Sequence, residues 1–137
     1  MARSNANQQV ERGLLSPNTA GKLMGFSPNS VRGWIKKGHL RRLKLPFVSD
    51  IQVSALELLM IAIRWKLPFN PQLWDAAKSY IKNFEPDPEN LTRLEVIEIY
   101  YKERKTGEQS EDTITTYISE LIELSARPLP TITFSKP

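Results

Sequence analysis

Asn29, Arg32 and Lys36 recur at intervals of three and four residues, a spacing that places an amide, a guanidinium and an ammonium on one side of a helix. Gly33 lies among them and leaves space for close approach. Such groups suit the DNA major groove, where an amide can read adenine and a guanidinium can read guanine. Ser27 and Lys37 bracket the same stretch. Lys36 and Lys37 also fall at a helix end whose dipole favours cations, so they have a reason to be there without any nucleic acid. His39, the single histidine, follows Gly38; a lone imidazole there serves as a phosphate contact or a cap, not as a base or a metal site. Arg41, Arg42 and Lys44 continue the positive charge and either meet phosphates or form a solvated strand face.

These side chains need elements to position them. Ser16 and Ser27 each precede a proline, and a serine cap followed by a first-turn proline is a strong helix start. Two short helices are therefore expected from Pro17 and Pro28. Gly25 supplies the left-handed turn between them and Gly38 ends the second. Ala20, Leu23 and Met24 on the first helix and Val31, Trp34 and Ile35 on the second fall at helical spacing and should pack together, with Trp34 in the core. The run 40–45 alternates, with Leu43 and Leu45 to one side and Arg42 and Lys44 to the other, and 51–53 alternates again after a loop at 46–50. That predicts a two-stranded hairpin. Ser54 then caps a helix over 55–66. The fold class is mainly α: a winged helix-turn-helix with a short two-stranded wing, followed by a C-terminal helical module.

The same residues resemble the winged-helix domains of MerR-like regulators and phage excisionases. The similarity runs through Leu15, Ser16 and Pro17 at the first cap, then Ala20 with Leu23 to Ser27 at the turn. It continues from Val31 to Leu40 along the second helix and through the opening of the helix at Val53, Ser54 and Ala55. It covers roughly the first half of the chain. By position it implies that Asn29, Ser30, Arg32 and Lys36 face a DNA groove while Trp34 belongs to the core. The loop at 46–50 lacks the glycines and arginines that the family often carries at its wing tip, which argues against minor-groove insertion there.

Charge is distributed unevenly. Residues 1–45 hold nine Lys or Arg and one acid, Glu11, while the remainder holds ten basic and 14 acidic residues; the two parts carry +8 and −4. A cationic half of this kind points to a polyanion, since lysine or arginine on phosphates releases condensed counterions. The chain has 137 residues, 40% of them hydrophobic, enough for one domain or two small ones. The longest apolar run, 58–63, is far too short to span a bilayer, and the polar start lacks a signal-peptide core. The absence of cysteine excludes disulfides and thiolate metal sites. These features place the protein in the cytoplasm, on the nucleoid.

Beyond residue 66 the prolines at 68, 71, 86 and 88 break the chain into shorter helices, predicted from Pro71 to Phe84, from about Leu91 to Lys105 and from about Glu111 to Ala126. Their apolar stripes either complete one core or form an oligomer face, and the wide girdle over 91–124 favours a homodimer or higher oligomer through 67–127. The divisions expected are a flexible arm at 1–12, the winged domain at 13–66, the helical module at 67–127 and a tail at 128–137. Removing 85–137 is expected to leave a weak, monomeric DNA binder. No Ser-His-Asp set, phosphate-cradling glycine loop or zinc-ligand spacing is present, so neither an enzyme nor a cofactor is expected. The leading expectation is a transcriptional regulator that binds double-stranded DNA through helix 28–37. The alternatives are an assembly factor similar to a phage terminase small subunit or plasmid partition protein, and a protein-interaction module on the same scaffold.

Overall fold

The computed structural model describes residues 12–43, 51–84, 86–103 and 111–126. Lys44, the loop at 46–50, the arm before residue 12 and the tail after residue 126 lie outside the described residues. The chain is mainly helical with one small antiparallel sheet. In order the elements are β1 (Leu14–Leu15), α1 (Pro17–Met24), α2 (Pro28–Lys36), β2 (Val53–Ser54), α3 (Ala55–Arg64), α4 (Gln72–Phe84), α5 (Pro88–Lys102) and α6 (Glu111–Ala126).

Local chemistry accounts for the helix starts. The Ser16 hydroxyl accepts from the Thr19 N–H, and that of Ser27 from the Ser30 N–H, both at 3.2 Å. Ser54 caps α3 by accepting from Leu56 and Glu57 at 3.1 and 3.3 Å. Asp87 caps α5 by accepting from Glu89 at 3.0 Å, with Pro88 as the first helical residue. The sequence reading put that helix three residues later, because two prolines and an aspartate look like a break; the second proline opens the helix instead. In α4 the helix proper begins at Gln72, whose N–H donates to the Asn70 side chain at 2.8 Å.

Three helices stop through the same left-handed turn. Gly25 (φ +75) closes α1, with the Phe26 N–H on the Gly21 carbonyl at 2.8 Å. Gly38 (φ +87) follows α2, with the His39 N–H on Trp34 O at 2.9 Å. Lys66 (φ +56) follows α3, with the Leu67 N–H on Ala62 O at 2.8 Å. This is the reciprocal end-cap that favours glycine, and at α3 a lysine occupies it. The predicted helix over 55–66 therefore ends at Arg64.

The two-stranded sheet is made by a pairing that the sequence does not suggest, while the expected hairpin is represented by one antiparallel bridge, its loop lying outside the described residues. Val53 and Ser54 pair with Leu15 and Leu14, while 40–43 contributes one bridge, Leu43 to Gln52, closed by two bonds of 2.8 Å. Leu14 and Leu15 are both fully buried, so they carry no alternation from which a strand could be read.

A single core joins both halves of the chain. α3 lies at its centre, with Leu56, Leu58, Leu59, Met60 and Ala62 each at most 1% exposed, and packs against α1, α4 and α6. α5 covers α4 and α6. The stripes that suggested an oligomer face, including Leu73, Ile81, Leu94, Ile97, Ile114 and Leu121, are buried within the chain. Of the large apolar residues described, only Trp65 and Ile99 are exposed, at 43% and 58%. Gly13 presses on α4 so closely that an added Cβ would overlap the Ala76 carbonyl oxygen and stand 2.5 Å from Tyr80 Cβ. The Asn70 N–H reaches back to Leu23 O at 2.6 Å.

Candidate nucleic-acid interface

α1 and α2 meet across the three-residue turn 25–27. Gly21 allows that approach, because a Cβ there would collide with the Phe26 carbonyl oxygen. Ala20, Met24 and Val31 are buried where the two helices meet. Leu23, Trp34 and Ile35, expected to join them, are only half-buried and lie at the margin of the core. Trp34 sits edge-on to Phe26, with ring centres 5.3 Å apart, and edge-on to Trp65 at 6.1 Å. It is therefore a link in an aromatic chain, not a core tryptophan. The reason is that α2 is covered on one narrow side only, so its wider apolar stripe reaches the surface.

The outward side of α2 presents Asn29, Arg32 and Lys36, all exposed. The Arg32 guanidinium donates to the Asn29 amide oxygen at 3.2 Å, and the amide's own N–H donors have no partner among the described residues. Ser30, half-buried, exchanges a 3.2 Å hydroxyl bond with Ser27, so both serines secure the start of the helix. At Gly33 an added Cβ would meet nothing within 4 Å. Lys36 and Lys37 are exposed and form no ion pair among the described residues.

The structure separates the remaining candidates. Arg42 is exposed. Arg41 turns inward, with its Nε 2.9 Å from Glu57 Oε2, its backbone N–H 3.2 Å from Glu57 Oε1 and its Nη2 donating to the Tyr80 hydroxyl at 3.3 Å. Burial alone would lower the arginine's pKa, but the Tyr80 bond and the Glu57 charge outweigh it and hold the value above the ordinary one. The Tyr80 hydroxyl is in turn pushed up, chiefly by burial. This triad joins the 40s segment to α3 and α4. His39 contributes its backbone N–H to the α2 cap, and its exposed ring stands edge-on to Trp65 at 4.9 Å.

Two neighbours of this surface were missed in the sequence. Trp65 falls within the helix predicted over 55–66, and nothing in the sequence marks it as exposed. Arg41 shares the charge of Arg42 and Lys44, although strand parity sets it beside Leu43. Glu57, a carboxylate in an otherwise apolar helix, was the complementary signal.

Among the described residues no cluster of acidic and histidine side chains is arranged to hold a metal, and no helix is long and apolar enough to cross a membrane. No protein family, curated protein or solved structure matches the chain.

Proposed function

We propose that this protein binds double-stranded DNA sequence-specifically, with residues 17–36 as a helix-turn-helix and α2 entering the major groove. Asn29, Arg32 and Lys36 read or approach base edges, and Lys37 and Arg42 contact phosphates. The Leu43–Gln52 bridge is the base of a short wing. In this role the protein is a transcriptional regulator.

The observation that carries the reading is Gly33. A glycine inside a helix costs roughly 0.5–1 kcal/mol relative to alanine, and among the described residues no atom beyond the helix's own backbone requires one at this position. The gap lies in the middle of the donor-bearing side, where a groove wall or a thymine methyl would need it. The uneven charge of the chain supports the same reading, as do Lys36 and Lys37, which have no ion pair among the described residues.

Enrichment from random duplexes should yield a consensus site. On that site Arg32→Ala is expected to weaken binding by about 1–3 kcal/mol with stability unchanged. Gly33→Ala should do the opposite to the two properties: raise stability by roughly 0.5–1 kcal/mol and lower DNA affinity. Enrichment of no sequence, or a Gly33→Ala protein that binds as the parent does, would overturn the reading. Self-association through 67–127 remains part of the proposal, on the narrower basis of exposed Ile99. The mass of the DNA complex distinguishes a regulator, two copies on a short site, from an assembly factor forming a ring or filament.

A further inference from the structure

A cleft of about 390 Å³ opens between the end of α3 and the facing sides of α5 and α6. Its apolar floor includes Ile97, Ile114 and Ile118, exposed by 1, 5 and 7%. Tyr100 forms part of one wall, half-buried, and its hydroxyl has no hydrogen-bond partner among the described residues. Arg64 and Lys66 stand at the rim, both exposed, and among the described residues neither has an ion pair and no carboxylate lines the cleft. Among the described residues beyond 66, Lys78 and Lys102 are committed to Glu98, and Arg93 to Glu89 and Glu120.

The composition of the cleft specifies its guest. Its size falls within the range of small-molecule sites, which combine an apolar lining with a few placed polar groups. Two uncompensated cations at the rim of an apolar floor select an anion attached to a hydrophobic body. A tyrosine face and branched isoleucines favour a flat ring over a flexible chain. Lys66 adds a further point. Its left-handed backbone costs a lysine roughly 1–2 kcal/mol that a glycine would avoid, more than the roughly 0.3–1 kcal/mol that the C-terminal dipole of α3 returns to a cation there. We infer that this cleft binds a small aromatic carboxylate, with the ring on the isoleucine floor beside Tyr100 and the carboxylate between Arg64 and Lys66. The inference does not depend on DNA binding.

The test uses the full chain and 2-naphthoate, with 2-naphthamide as the neutral isostere. Titration followed by backbone amide NMR and calorimetry should show naphthoate binding, with shifts confined to the end of α3 and to α5 and α6. Naphthamide should bind at least tenfold more weakly. The double variant Arg64→Gln, Lys66→Asn keeps the fold, since both positions are exposed and asparagine tolerates the left-handed turn. It should reduce naphthoate to the affinity of the amide. Ser119→Trp, which fills the cleft from an exposed position, should abolish binding of both. Equal affinity for acid and amide, shifts centred on α2, or undiminished binding by Ser119→Trp would each overturn the assignment.

Discussion

Gly13 and Gly25 share a positive φ, +84 and +75, and have very different surroundings. Around Gly25 an added Cβ meets nothing within 4 Å, whereas at Gly13 it would lie 2.5 Å from Tyr80 Cβ and 2.6 Å from Tyr80 N. Gly25→Ala should therefore cost only the left-handed penalty, about 1–2 kcal/mol. Gly13→Ala adds a steric clash against the backbone of α4 and should cost roughly 2–4 kcal/mol. Urea unfolding of the two variants measures the difference; equal losses would mean that the β1 turn yields to the extra carbon. The ion pairs make a second comparison possible. Arg41 is tied to Glu57 and Tyr80, so Arg41→Met leaves a carboxylate only 11% exposed without its charged partner, the backbone N–H of residue 41 remaining, and should destabilise the protein by about 2–3 kcal/mol. Arg32→Met removes only an exposed side chain and should change stability by less than about 0.5 kcal/mol. A stable Arg41→Met protein would return Arg41 to the set of free surface cations.

Between elements, Glu98 of α5 joins α4 through Lys78 at 2.8 Å and its own helix through Lys102 at 3.1 Å. Burial pushes its pKa up, but the bonds and charges of the two lysines prevail and hold it below the ordinary carboxylate value. A folded-state pKa that is depressed contributes stability above the unfolded pKa, near ~4.3, and loses it as pH falls through the folded value. Glu98→Gln should thus be less stable than the parent by about 1 kcal/mol at pH 7, with the gap closing below about pH 4. Thermal unfolding at several pH values checks this, and a gap that persisted at pH 3 would remove the ionic basis. The elements themselves were largely legible in the sequence. Ser16 with Pro17, Ser27 with Pro28, and Ser54 before an apolar run are local signals whose chemistry is complete within four residues. The short strand Leu14–Leu15 was not legible, because its partner lies about forty residues away and two buried leucines show no period. The donor side of α2 was legible for the same local reason as its helix. The cleft at Arg64 and Lys66 was not, since its walls come from three helices whose mutual packing no local pattern specifies.

At the level of the whole molecule, the prolines after residue 66 mark where helices begin and end, not where a core ends. α3 gives one side to α4 and another to α6, and Leu94, Ile97, Ile118 and Leu124 are each at most 7% exposed. A fragment ending at Phe84 would bare those contact faces. In place of the weak, monomeric DNA binder expected from the sequence, it should aggregate or lose its near-ultraviolet circular dichroism. A fragment that unfolded cooperatively at the parent's midpoint would count against a shared core. Gly33 bears on how such a chain can be altered. Because its vacant Cβ position costs the fold something and gives it nothing, a lineage selected in the laboratory for heat tolerance alone would acquire alanine there early. Its proteins would be sturdier and, on the DNA-binding reading, steadily worse at finding their sequence. A screen that scored only soluble yield would reward that loss.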